Sequence, residues 1–162
     1  MGGDLLGPDR FPAPGLQVSV RFFLRSESET VALGEVLGRH LSPGDLILLF
    51  GELGAGKTTL VRGLARGIGF RGRVSSPTFA LAHLYRGNPL SLHHLDLYRL
   101  KKGETGELGL DELLADPRGA VVVEWPKAAG RWPARRIEVR LSHARPGRRA
   151  VVLDRRGRLR KS

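Results

Sequence analysis

The chain has 162 residues, a formal charge of +11 from 27 Lys and Arg against 16 Asp and Glu, and no cysteine. That length suits one domain with an adequate core. The missing cysteine excludes disulfides and thiolate metal sites, and no apolar run is long enough to span a bilayer.

Residues 1–16, rich in Gly and Pro, are expected to form a flexible N-terminal segment. Met1 to Pro8 lacks a basic region followed by an apolar one, so it does not read as a signal peptide. Leu6 stands where a myristoylation motif needs Ser or Thr. A soluble cytoplasmic protein is expected. One α/β domain is then expected over 17–154, with a basic tail over 155–162.

Gln17 to Leu24 alternates through Val18, Val20, Phe22 and Phe23 and reads as a strand. Ser26 is an N-cap candidate with Glu29 as its capping-box partner. The helix is expected to run to about His40, with Val31, Leu33, Val36 and Leu37 facing inward. Ser42 to Asp45 is a turn into Leu46 to Phe50, an apolar run that suits a buried parallel strand.

Gly51-Glu52-Leu53-Gly54-Ala55-Gly56-Lys57-Thr58 follows, and it fits the phosphate-binding loop G-x-x-x-x-G-K-[ST]. Glycines let the backbone turn its N–H groups inward, forming a nest for phosphate oxygens. The next helix adds partial positive charge at its N-terminus. In such a loop Lys57 reaches the outer phosphates and the Thr58 hydroxyl binds Mg²⁺. Apolar residues at helical spacing continue to Arg66, with Gly67 or Gly69 as the stop.

Arg71 to Phe79 reads as a loop. Thr78 to Tyr85 and Leu90 to Tyr98 read as two strands of an antiparallel hairpin turned by Arg86 to Pro89. Glu107 to Ala115 reads as a short helix ended by Asp116 to Gly119. Ala120 to Val123 is a buried strand candidate ending at Glu124-Trp125-Pro126. Ile137 to Leu141 and Ala150 to Leu153 could close the sheet as a second hairpin. The expected fold is therefore one α/β domain with parallel and antiparallel strands.

Much of the positive charge lies between Arg131 and Arg149 and in the tail from Arg155 to Lys161. A basic surface attracts polyanions such as nucleic acid, whereas such a tail is usually solvated. Charge alone leaves direct RNA contact open.

A phosphate loop needs a carboxylate to orient Mg²⁺ or the attacking water. Such groups sit at the carboxyl ends of strands beside the loop. Asp96 and Glu124 are the two candidates, and a carboxylate straight after three valines is costly without a cation or hydrogen-bond partner. His93 and His94 point to opposite faces of a strand and cannot readily share an ion. One is expected to be packed and the other exposed. Trp125 could stack on a base, but a packed ring at the strand end is favoured.

With these pieces in place the chain resembles the TsaE family, small bacterial P-loop ATPases formerly called YjeE, from about Ser26 to Arg148. The resemblance rests on the Gly51–Thr59 loop, Ser76-Pro77-Thr78-Phe79, His94-Leu95-Asp96-Leu97-Tyr98-Arg99 and Glu124-Trp125-Pro126. It implies a single-domain P-loop NTPase fold, three-layered, with a mixed parallel and antiparallel central sheet. It implies a role in forming threonylcarbamoyladenosine at position 37 of tRNAs reading codons that begin with A. In that family ATP is bound and hydrolysed in company with TsaB and TsaD. By the same resemblance Gly54, Ala55, Gly56, Lys57, Thr58 and Thr59 hold phosphates, and Thr58 and Glu124 bind Mg²⁺. Asp96 assists through water or as a base, and Thr78 senses the γ-phosphate. Ser26 and Thr30 contact the base end of the nucleotide, and Gly147 and Arg148 close the site. The residues alone leave two alternatives open, a small-molecule or nucleoside kinase and a non-enzymatic nucleotide-gated docking module.

Overall fold

The computed structural model describes residues 18–77, 81–101, 104, 108–126, 131–145 and 148–156. The strands are β1 (Val18–Leu24), β2 (Leu46–Phe50), β3 (Ala82–Arg86), β4 (Ser91–Asp96), β5 (Gly119–Glu124), β6 (Arg136–Arg145) and β7 (Arg148–Arg156). The helices are α1 (Glu27–Arg39), α2 (Lys57–Gly67) and α3 (Leu110–Ala115). The seven strands form one sheet in the order β1-β7-β6-β2-β5-β4-β3. The four central strands β6, β2, β5 and β4 run parallel, and β3, β7 and β1 are added antiparallel. The mixed sheet expected from the sequence is thus present.

Strand parity builds two cores. Ile47, Leu49, Leu92, Ala120 and Val122 pack with Leu33 and Leu37 of α1 and Leu60, Val61 and Leu64 of α2. Leu46, Leu48, Leu95, Val121 and Val123 face the other way, toward Leu110, Leu113 and Leu114 of the α3 region and Trp132. Successive side chains on a strand alternate faces, so strands buried on both sides read as unbroken apolar runs. Helix, sheet and helix make the expected three layers, the third of them thin.

α1 begins as expected, with Ser26 Oγ accepting from the Glu29 amide at 3.1 Å. The reciprocal bond differs: Glu29 Oε2 accepts from Arg25 N, one residue before the cap. The inward face also differs from the apolar pattern. Thr30, Leu33, Gly34, Leu37 and Gly38 are buried, while Val31 and Val36 are only half-buried. The cause is the contact with α2. A Cβ on Gly63 would meet the Val31 carbonyl and approach Gly34 Cα to 2.8 Å. Backbone therefore meets backbone, and only glycine fits there.

Several boundaries shift. The helix expected from Glu107 starts at Leu110. The strand expected from Thr78 begins, within the described residues, at Ala82. β7 runs to Arg156 and takes Arg155 and Arg156 out of the expected tail, pairing them with Val18 and Arg136. The expected N-terminal segment and residues 157–162 lie outside the described residues. Among the described residues no helix is long and apolar enough to cross a membrane.

Candidate functional site

The loop after β2 turns into α2 through Gly56, whose φ of 102° lies in the left-handed region that favours glycine. The helical ladder opens with Leu60 N donating to Gly56 O at 2.9 Å. The amides of Lys57, Thr58 and Thr59 therefore precede the ladder and have no intrahelical acceptor. Lys57, Thr58 and Thr59 line a cleft of about 450 Å³. Gly54, Gly56, Lys57, Thr58, Thr59, Asp96 and Glu124, all singled out in the sequence, line that cleft together.

Parity and register bring the acids there. Asp96 and Glu124 are paired residues at the carboxyl ends of the parallel strands β4 and β5. Each shares a face with apolar residues of the α1–α2 core, Leu92 on β4 and Val122 on β5. Both carboxylates thus emerge on the side where α2 starts.

Glu124 is 3% exposed. Its Oε1 accepts from the Thr58 hydroxyl at 3.1 Å and lies 2.8 Å from His94 Nε2. Among the described residues, Oε2 takes no hydrogen bond. A buried carboxylate oxygen with no donor suits a cation. Asp96 is held at both oxygens, by Ser76 Oγ at 2.6 Å and by the Tyr98 amide at 3.0 Å.

Lys57 is buried and bends back over its own loop, donating to the Gly51 and Glu52 carbonyls at 2.7 and 2.8 Å. Its Nζ stands 4.0 Å from the centre of the Trp125 ring. Burial pushes the Lys57 ammonium below its ordinary range, while Glu124 and then Asp96 pull it back up. Trp125 adopts φ 58°, rare for a side chain of that size. That kink turns the indole toward the cleft, half-buried against Tyr98 with ring centres 4.8 Å apart. The packed ring favoured from the sequence is therefore also a wall of the site.

The remaining candidates are placed differently. Ala55 is fully buried in the core, and its amide donates to the Glu52 carbonyl at 3.1 Å, so its N–H is used within the loop. Thr30 has no exposed surface, its hydroxyl donates to the Ser26 carbonyl, and it does not line the cleft. Ser26 caps α1 and does not line the cleft; its neighbour Glu27 does, accepting from Thr59 Oγ1 at 3.4 Å and Arg62 at 3.0 Å. Arg148 begins β7. Thr78 and Gly147 lie outside the described residues. His94 is buried as one of the pair was expected to be, but His93 is half-buried rather than exposed, bonded to Asp116 at 2.8 Å.

Sequence reasoning overlooked Glu27, Leu53, Ser76, Tyr98 and Arg99 as cleft residues, and His94 as the partner of Glu124. The neighbouring motifs carried a signal for Ser76 and Tyr98. Nothing in the sequence placed Glu27, which arrives from α1 across the glycine contact.

The family described as Threonylcarbamoyl adenosine biosynthesis protein TsaE matches residues 24–151. The chain belongs to the TsaE family. A TsaE protein of Synechocystis is 42% identical over 119 residues, 72% of this chain and 76% of its own. One from Bacillus subtilis is 36% identical over 125 residues, 76% of this chain and 78% of its own. Both carry the name tRNA threonylcarbamoyladenosine biosynthesis protein TsaE. The crystal structure of Bacillus subtilis YdiB superposes with a TM-score of 0.74 at 29% identity, covering 88% of each chain. The TsaE match spans the sheet from the end of β1 into β7 and so contains the whole cleft.

Proposed function

We propose that this chain is a Mg²⁺-dependent ATPase needed to form threonylcarbamoyladenosine at position 37 of tRNAs reading codons that begin with A, acting in the cytoplasm with TsaB and TsaD. One observation carries the reading: the Thr58 hydroxyl of the phosphate loop is hydrogen-bonded to the buried Glu124 carboxylate at 3.1 Å, with Asp96 on the next strand. Family membership supplies the pathway.

The chemistry assigns each residue a task. The first-turn amides of α2 and the side chain of Lys57 hold the phosphates of ATP. Thr58 Oγ and Glu124 are hard oxygen donors suited to Mg²⁺. Among the described residues no cluster of three His, Cys, Asp or Glu could hold a metal alone. A Mg²⁺ ion in a nucleotide site is commonly held by one or two protein groups and by phosphate oxygens. When bound, Mg²⁺ would neutralise charge developing on the transferred phosphoryl group. Asp96, fixed at both oxygens, orients the attacking water or takes its proton. Trp125 and Tyr98 form one wall of the cleft.

Hydrolysis should be slow for the chain alone and rise when TsaB and TsaD are added. Equal rates with and without those partners would count against the reading. Reconstituted tRNA modification over many turnovers should require this chain. Glu124→Gln retaining full turnover, with modification intact, would favour a docking module instead.

A further inference from the structure

His94 is fully buried, and no step above uses it. Its Nε2 lies 2.8 Å from Glu124 Oε1 and its Nδ1 3.1 Å from the Tyr85 hydroxyl. The Tyr85 hydroxyl in turn donates to the Ser75 carbonyl at 2.9 Å. A carboxylate only accepts, so the hydrogen between His94 and Glu124 belongs on Nε2. In the neutral ring Nδ1 is then an acceptor. The single phenolic hydrogen of Tyr85 has two near acceptors, the Ser75 carbonyl and His94 Nδ1, with His83 Nδ1 farther off at 3.5 Å.

The next residue, Ser76, donates from Oγ to Asp96 at 2.6 Å. The Ser75–Ser76 segment therefore touches both acids, Asp96 directly and Glu124 through two buried side chains. Packing alone gives no reason for this chain of polar groups. Leu92, on the same face of β4, fills the same core with an apolar side chain. Buried polar networks cost desolvation and are worth keeping only when satisfied and specific.

We propose that His94 and Tyr85 are positioning residues that fix Glu124 for its cation and tie its orientation to the Ser75–Ser76 segment. This rests on reading Glu124 as a Mg²⁺ ligand. A shift of the Ser75 carbonyl frees the Tyr85 hydrogen for His94 and resets the imidazole behind Glu124. Partners of this kind behind a metal-binding carboxylate typically change metal affinity about 10- to 100-fold when removed.

The test measures ADP binding by calorimetry across a Mg²⁺ titration, together with the melting temperature, on the full chain. Tyr85→Phe keeps the ring, whose centre lies 5.1 Å from that of Phe70, and deletes only the hydroxyl. It should keep Mg²⁺-free ADP affinity within about twofold and raise the Mg²⁺ midpoint about three- to tenfold. His94→Leu should raise that midpoint about 10- to 100-fold. His94→Gln, which returns an N–H toward Glu124, should recover part of the loss. Unchanged midpoints in Tyr85→Phe and His94→Gln overturn the proposal. So does a Mg²⁺-free affinity that falls in step with the melting temperature, because that marks a merely structural role. If His94→Leu does not fold, Tyr85→Phe decides. A wild-type chain whose ADP binding ignores Mg²⁺ sinks the assignment of Glu124 itself, whereas a Mg²⁺ response unmoved by the variants sinks only the positioning role.

Discussion

Glu124 and Glu138 are two buried glutamates, 3% and 4% exposed, on the strands flanking β2. Glu124 is in register with Leu49 and Glu138 with Leu48, so they stand on opposite faces of the sheet. Glu138 meets two guanidiniums, Arg136 at 2.8 Å and Arg140 at 2.6 Å, and Arg140 also bonds Asp154 at 2.6 Å. Glu124 meets a threonine hydroxyl and an imidazole, and the nearby Lys57 spends two of its three hydrogens on loop carbonyls. Equal burial thus has two different compensations. A carboxylate between two arginines is neutralised by the fold and has little left to bind. One surrounded by weaker donors keeps its demand for a cation.

The largest contrast should come from turnover. Glu124→Gln is expected to lower ATP hydrolysis by about 100-fold or more while leaving the melting temperature nearly unchanged. Glu138→Gln should do the reverse: it takes one carboxylate partner from each of two arginines and should destabilise by roughly 1–3 kcal/mol, less than a fully buried pair because Arg140 is exposed and keeps Asp154. Urea unfolding of both variants checks the pairing, and a stability loss confined to Glu124→Gln would break the comparison.

Lys57→Ala should weaken nucleotide binding by about 10- to 100-fold through a lost charge-assisted contact. Calorimetry with an ATP analogue reads it, and an unchanged affinity would remove Lys57 from the phosphate site. Gly63→Ala should cost about 1–3 kcal/mol, because its Cβ meets backbone of α1 that has no room to move. A thermal melt equal to wild type would contradict that close approach.

The smallest effect concerns Asp116, half-buried at the turn after α3. Its hydrogen bond with His93 holds the Asp116 carboxyl below the ordinary value of 3.8. A group whose folded pKa is lowered stabilises above its unfolded pKa and loses that stabilisation as pH falls through the folded value. Asp116→Asn should therefore flatten the pH dependence of stability below about pH 4 and change little of its shape at neutral pH. Melting curves from pH 5 to pH 2 test this, and a slope identical to wild type would count against it.

Much of the fold was legible because its signals are local. Apolar runs marked β2 and β5, the Ser26 cap marked α1, and the glycine loop marked α2. The cleft position of the glycine loop and of the two strand-end acids was legible as well, since strand ends fall where apolar runs stop. The glycine seam between α1 and α2 was not, because an apolar pattern finds side-chain packing and this contact is made by backbone. β7 was read too short because its terminal arginines look like a tail until β1 and β6 pair with them.

The sequence by itself determined the glycine loop before α2 and which carboxylates stand at strand ends, because a few adjacent residues carry those features. Only the tertiary structure decided that Asp96 and Glu124 are register partners, that Glu27 reaches the cleft, and that His94 and Tyr85 stand behind Glu124. Those are distances between segments far apart in the chain. They follow from strand register and helix packing, which the whole core sets at once.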